Sequence, residues 1–361
     1  MPPSSLTIST PGRICLFGEH QDYLGLPVIA AAISRRISIH GTVRADNMMV
    51  LKLPDIGSEV SFTVGGPLKY GEERDYFRSC ANILQKHGHH FSRGYDCIVR
   101  GNIPINAGTS SSSALVVTWI HFLSHVSDSP VALSREDIAK LAYEAEVLEF
   151  SEPGGMMDHY STALGGLIFL ESHPQMKIAV LQAPLGTFVL GNSKESKNTK
   201  GMLSRVKAEV SDAAAAARKL FPEFSLHRVT LDQLGEFKKR LNERHFSLLE
   251  ATVVHRNITQ EARKLLQSKS ADHKQLGSLL NEHQSRLRDV LRLSTLKIDS
   301  MIEAALKAGA LGAKINGSGG GGCMFAYAPD NAEQVAEAIK TLGEAMIIAI
   351  DRGTQREPRE Y

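Results

Sequence analysis

A glycine, a threonine and four consecutive serines (residues 108–113) stand between a turn-forming Gly-Asn-Ile-Pro and an unbroken apolar run, A-L-V-V-T-W-I-H-F-L. This junction constrains the fold more than any other stretch of the chain. The apolar run reads as a helix, and the Gly–Ser segment as the loop that opens it. Free backbone N–H groups and the positive end of the helix dipole at such a junction suit a polyphosphate. Serine hydroxyls there add hydrogen-bond donors or an oxygen ligand for Mg²⁺. Taken alone, the same residues also read as a serine-rich cap on a core helix. The loop is not of the Walker type, because no G-x-x-x-x-G-K-[ST] occurs in the sequence.

Size and composition narrow the partners. At 361 residues the chain suits two intimately packed lobes better than one core. A net charge of +2 argues against a nucleic-acid or membrane surface as the main partner, and the apolar runs are far too short to span a bilayer. Cys15, Cys80, Cys97 and Cys323 are scattered, with no C-x-x-C pair. With no secretory leader in view, they read as reduced thiols of a cytoplasmic protein. The histidines of H-G-H-H (His87, His89, His90) have no acidic or Cys partner at ligand spacing and are expected on a surface loop.

The pattern along the chain is α+β. Strands are expected at 14–17, 33–43, 48–53, 95–100 and 167–171, and a helix at 76–87. Ser134 followed by Asp137 marks an N-terminus for helical spacing that continues to Leu148. Residues 198–310 carry helical periodicity and almost no strand signal, and α/β alternation returns after 311. A division at 184/185 is expected, giving lobes 1–184 and 185–361.

Three further stretches carry chemistry. Residues 11–25, P-G-R-I-C-L-F-G-E-H-Q-D-Y-L-G, end a strand in a turn that holds Glu19, His20, Gln21 and Asp22. Such side chains can converge on neighbouring hydroxyls of a polyol, although a solvated turn has the same composition. In A-E-V-L-E-F-S-E-P-G-G-M-M-D, Glu146 and Asp158 flank a Pro-Gly-Gly turn. Two carboxylates so placed can split the work, one on a metal and one on a proton. In G-A-K-I-N-G-S-G-G-G-G-C, residues 312–323, a glycine-rich turn between short strands allows close backbone packing.

Together these stretches resemble the motifs of the GHMP kinases. The serine loop is similar to P-x-x-x-G-L-x-S-S-A, read here as Pro104, Gly108, Thr109, Ser110, Ser111, Ser112 and Ser113, with Thr109 and Ser113 replacing Leu and Ala. The N-terminal stretch resembles the galactokinase motif G-R-x-N-L-I-G-E-H-x-D-Y, and Glu146–Asp158 the galactokinase A-E-x-x-x-x-x-x-P-x-G-I-M-D. The resemblance implies a ribosomal protein S5 domain 2-like N-terminal lobe, a ferredoxin-like C-terminal lobe, and ATP and Mg²⁺ as cofactors. By position it places ATP on Asn106, Ala107, Gly108, Thr109, Ser110, Ser111 and Ser112, and Mg²⁺ on Ser112 and Glu146. It makes Asp158 the base with Arg13 beside it, and gives the sugar to Glu19, His20, Gln21, Asp22 and Gly155. Residues 191–207, with five basic side chains around N-T-K, look like a mobile lid and are closer to mevalonate kinases.

The expected activity is transfer of the ATP γ-phosphate to the anomeric hydroxyl of galactose or a related sugar, by a monomer or homodimer. Mevalonate kinase is the alternative, against which stand Arg13, where that family carries Lys, and Asp22. A catalytically silent sugar sensor would have lost a member of the Arg13–Ser112–Glu146–Asp158 set, and all are present.

Overall fold

The computed structural model describes residues 2–268 and 270–358. The N-terminal lobe is built on β1 (Ser5–Phe17), β2 (Val28–Val43), β3 (Met48–Leu53) and β4 (Ser58–Thr63), followed by helix α1 (Tyr76–Lys86) and β5 (Tyr95–Gly101). Helices α2 (Ser111–Val126), α3 (Arg135–Tyr143) and α4 (Met157–Leu164) precede β6 (Leu167–Glu171) and β7 (Lys177–Leu181). The second lobe opens with β8 (Thr187–Asn192), then five helices: α5 (Thr199–Leu220), α6 (Leu231–Gly235), α7 (Glu243–Leu266), α8 (His273–Asp289) and α9 (Leu296–Lys307). It closes with β9 (Gly312–Ile315), β10 (Cys323–Tyr327), α10 (Ala332–Lys340) and β11 (Glu344–Ala349), before the short β12 (Gln355–Arg356).

The sixteen-residue β2 organises the first sheet. Its start pairs with β6 and its end with β5, while β1 runs antiparallel along its whole length. The strand begins at Val28, earlier than the expected Ile33, because the buried run Val28–Ile33 is itself paired on both sides. The second sheet has the order β11-β8-β10-β9. The chain then crosses back, and β12 pairs with Ile8 and Ser9 of β1. One hydrophobic cluster spans both lobes, joining Ile14, Leu16 and Phe17 to Phe188, Leu190, Cys323 and Phe325. The lobes therefore share a core.

Helix α2 is buried over most of its circumference, with Trp119 stacked on Phe122 at 5.3 Å and edge-on to Phe77 at 5.8 Å. The helix expected to run to Leu148 changes character at Tyr143. Residues Glu144–Leu148 form a π-helical turn in which the Glu149 amide donates to the Glu144 carbonyl at 2.9 Å. Such turns rotate the following side chains relative to an α-helix and are frequent at functional sites. Of the three loop histidines, His87 and His90 are exposed as expected, but His89 is buried against Ser127. All four cysteines are buried and unpaired. Among the described residues no helix is long and apolar enough to cross a membrane.

Candidate active site

Between the lobes lies a cavity of about 190 Å³ on which the sequence motifs converge. Its wall includes Arg13, Glu19, His20, Asp22, Glu146, Asp158 and the serine loop. At its floor Arg13, from the bulged end of β1, donates from Nε to Asp158 Oδ1 at 2.8 Å, with its other nitrogen at 2.7 Å. Asp158 stands on the first turn of α4. Burial alone would raise its carboxyl, but Arg13, the Ser110 hydroxyl and His159 together hold it below the usual range. Burial likewise works against the Arg13 charge, and Asp158 more than restores it.

The serine loop is fixed by backbone geometry. Ser110 adopts a left-handed conformation (φ 59°) and offers no side-chain cap, so the amides that begin α2 stay free. The Gly108 carbonyl accepts from Arg13 and from Asn316 Nδ2, the latter at 2.8 Å. The glycine-rich loop presses against the same backbone. A Cβ at Gly317 would fall 2.7 Å from the Gly108 oxygen, and one at Gly322 2.6 Å from the Ala107 oxygen. These glycines permit contact between two backbones, as the sequence pattern suggests. Asn106, Gly108, Ser110, Ser111, Ser112 and Ser113 line the cavity. Ala107 and Thr109 do not appear in its wall: the Ala107 carbonyl accepts from Cys323, and Thr109 is fully buried with its hydroxyl on the Pro104 carbonyl.

The Glu-His-Gln-Asp turn is buried, so a solvated turn is excluded. Its members nonetheless differ. Glu19 forms a buried ion pair with Lys314, and its other oxygen accepts from the Gly317 amide at 3.3 Å. His20 (φ 60°) has both ring nitrogens occupied, Nδ1 with the Tyr23 hydroxyl at 2.8 Å and Nε2 with the Ser318 carbonyl at 3.0 Å. Burial lowers its pKa to about 4, so the ring is neutral at physiological pH. Gln21 is not in the cavity wall; its Nε2 donates to the Thr252 carbonyl at 2.7 Å. Asp22 is the member left open toward a ligand. Its Oδ2 accepts from the Met157 amide at 2.7 Å, while Oδ1 is buried with no partner. Burial raises this carboxyl to about 6. Gly155 lies against it, and a Cβ there would overlap the carboxylate.

Glu146, turned inward by the π-helical segment, accepts at Oε2 from His159 Nε2 at 2.7 Å. Ser112 is exposed at the head of α2 and borders both this cavity and a larger one of about 660 Å³. Among the described residues no group of three His, Cys, Asp or Glu is arranged for a metal. A single carboxylate and a hydroxyl fit Mg²⁺, which keeps several ligand positions for water and phosphate oxygen.

Several residues of the wall carry no motif signal that marks them singly. Lys197 is half-buried and donates to Ser318 Oγ at 3.1 Å; desolvation first, then the Arg13 charge, lowers it to about 8. It lies in the segment expected as a mobile lid, in which Ser193 Oγ donates to the Gly322 carbonyl, Glu195 accepts from Thr295, and Asn198 caps α5. Arg74 reaches the wall paired with Glu152 at 2.8 Å. Tyr23 follows directly on Asp22 in the N-terminal motif, and His159 directly on Asp158.

Comparison with known proteins places this arrangement. The GHMP kinases N terminal domain matches residues 75–166, the GHMP kinases C terminal family 262–345, and the galactokinase galactose-binding signature residues 2–42. Mevalonate kinase of Pyrococcus furiosus is 30% identical over 354 residues, covering 95% of this chain and 96% of that protein. The chain is a GHMP kinase. Galactokinase of Mannheimia succiniciproducens is 27% identical, over 94% of this chain and 89% of that one. Among solved structures, Lactococcus lactis galactokinase complexed with galactose superposes with a TM-score of 0.83 at 22% identity, covering 97% of this chain and 95% of that one. Methanococcus jannaschii mevalonate kinase gives 0.72 at 19%, with 97% and 99% covered. As a GHMP kinase the chain is an ATP-dependent phosphotransferase that works with Mg²⁺.

Proposed function

We propose that this GHMP kinase is a sugar 1-kinase of the galactokinase kind. One observation carries the reading: at the cavity floor the Asp158–Arg13 pair lies with Asp22, whose buried Oδ1 has no partner in the protein. A buried lone carboxylate oxygen calls for a hydroxyl donor, and a polyol supplies one beside its reacting hydroxyl. The acceptor's own carboxylate, as in mevalonate, would need a free cation nearby. Among the described residues Lys314 is paired with Glu19, Arg13 with Asp158 and Arg74 with Glu152, which leaves Lys197 against the Gly108 backbone at the phosphate side.

In this reading the nucleoside occupies the larger, apolar cavity, walled by Leu53, Ile56, Val99, Ile105 and Leu115. That cavity meets the smaller one at Ser111 and Ser112, so the phosphate chain runs across the head of α2. Ser112 and Glu146 would hold Mg²⁺, which on binding neutralises charge on the phosphate oxygens. Lys197 and Arg13 add fixed positive charge on the same path. The anomeric oxygen attacks the γ-phosphorus, the new P–O bond replacing the bond to ADP, and the hydroxyl proton passes to Asp158. With its pKa held low, Asp158 is a weak base. Its role is to orient the hydroxyl while ionised and to take the proton late in the transfer.

A second reading, mevalonate phosphorylation, is favoured by the full-length identity of 30% to a mevalonate kinase. The deciding experiment is ADP release with a panel of hexoses, pentoses, uronic acids and mevalonate. A sugar is expected to be the fastest acceptor, phosphorylated at its anomeric hydroxyl. Mevalonate outpacing every sugar would refute the proposal.

A further inference from the structure

We infer that His159 reads a second hydroxyl of the acceptor, next to the one taken by Asp22, and links that contact to Glu146. The inference rests on the proposed function only in taking the acceptor to carry hydroxyls besides the reacting one.

Position comes first. The Met157 amide donates to Asp22 Oδ2 at 2.7 Å, so Asp22 rests on the same first turn of α4 that carries Asp158 and His159. His159 is part of the cavity wall, as are Asp22 and Glu146. Its imidazole has one defined pose. Nε2 donates to Glu146 Oε2 at 2.7 Å, with the two side chains 2% and 9% exposed, and the Tyr143 ring packs edge-on at 5.6 Å. Nδ1 is left buried without a partner.

A role confined to holding Glu146 explains half of this residue. Holding Glu146 uses Nε2 alone and gives Nδ1 no role. Buried polar atoms are paired in folded proteins, and those left over at a cavity wall mark where a ligand completes the bonding. Among the described residues three such atoms occur on this wall, Ser110 Oγ, Asp22 Oδ1 and His159 Nδ1; Ser110 belongs to the serine loop on the phosphate side, which leaves the other two for the acceptor. A hydroxyl both donates and accepts, so it satisfies a ring nitrogen in either protonation state. Two hydroxyls at fixed spacing are what a sugar ring offers. Through Nε2 the same ring joins the acceptor to the carboxylate proposed for Mg²⁺, so filling the acceptor site would also stiffen that ligand.

Two substitutions divide the two nitrogens, because a Gln amide approximates Nε2 and an Asn amide approximates Nδ1. Acceptor binding is measured by calorimetry with a nonhydrolysable ATP analogue present, and the Mg²⁺ requirement by titration. His159→Gln should weaken acceptor binding by about tenfold or more and leave the Mg²⁺ requirement within about twofold; His159→Asn should do the reverse. Wild-type acceptor affinity in His159→Gln would overturn the inference. The site is buried, so the unaltered protein is also assayed with single-deoxy acceptor analogues. Two non-reacting hydroxyls should each cost about tenfold when removed, whereas only one such position would overturn the inference. If mevalonate proves to be the acceptor, the proposed function fails, but the His159→Gln comparison with that acceptor still decides this inference.

Discussion

Replacing Asp22 by Asn should remove a pH-dependent part of the protein's stability and weaken acceptor binding, two effects that separate assays read. Burial raises the Asp22 carboxyl from 3.8 to about 6. At about 1.4 kcal/mol per unit, the ionised folded protein carries a penalty of about 3 kcal/mol at this one group. The sign follows from the direction of the shift. The folded pKa lies above the unfolded one, so the favourable contribution is complete below the unfolded value and is lost as pH rises through about 6. An Asn carbonyl can still accept from the Met157 amide, and its NH₂ falls where Oδ1 has no partner. Burying that NH₂ adds a cost of about 1–3 kcal/mol that does not vary with pH, so only the pH-dependent part is diagnostic. Urea unfolding of the ligand-free proteins from about pH 4.5 to about pH 8 should show the difference moving toward Asn by about 2 kcal/mol, the rest of the shift lying below about pH 4.5. A difference flat across that range would refute the account of Asp22 as a buried, unpartnered carboxylate. The same substitution should raise the acceptor KM at least about tenfold and leave the KM for ATP little changed. In the wild type, acceptor affinity should fall as pH drops through about 6, because the proton then competes with the hydroxyl.

Three other outcomes follow from the same geometry. Asp158→Asn removes the proton acceptor and the partner of Arg13, and should cut turnover by about two orders of magnitude or more while ATP binding persists; near-normal turnover would remove Asp158 from that role. Glu146→Gln and Ser112→Ala should each raise the Mg²⁺ needed for half-maximal activity, and Ser113→Ala should do so much less. If Ser113→Ala is the more damaging serine change, the metal position belongs one residue further along the loop. Lys314→Met leaves Glu19 buried without its ion partner and should cost about 3–5 kcal/mol in unfolding, much of it recovered in the Lys314→Met, Glu19→Gln double variant. Equal stability of the single and double variants would show that the pair is not coupled.

The local elements of the fold were legible because their signals are local. Ser134 accepting from the Asp137 amide, the strand Leu167–Glu171 and the helical span beyond residue 198 all appear where spacing and caps put them. The π-helical turn at Glu144–Leu148 was not legible, since nothing in E-A-E-V-L distinguishes it from an α-helix. The turn packs against α1 and α3, and His159 donates to Glu146 within it, contacts that are all made by other parts of the chain. The site was legible as a set of motifs and illegible in its pairings. Glu19 carries the same letter whether it faces a sugar or a lysine, and Lys314 lies 295 residues away. Gln21, between two cavity residues in sequence, points to Thr252 instead, a partner 231 residues away that leaves no local mark. Return of the chain end to β1 as β12 likewise has no local mark.

The long-range bonds explain why motifs so far apart act as one. Cys15 donates to Asn316 Oδ1 at 2.9 Å, Asn316 Nδ2 to the Gly108 carbonyl at 2.8 Å, and Cys323 to the Ala107 carbonyl at 2.8 Å. Three segments are thus joined by the Asn316 side-chain amide and by a backbone hydrogen bond from Cys323, with glycines where the backbones touch. Such a junction is buried and cooperative, and loosening any member exposes polar groups that have no other partner. The position of Arg13 against Asp158 is therefore set from both lobes at once, by β1 on one side and by the glycine-rich loop on the other. A rigid seam of this kind can hold a phosphate path and a buried carboxylate within hydrogen-bond distance of each other without a hinge between them. That is the condition a direct, in-line transfer places on its scaffold.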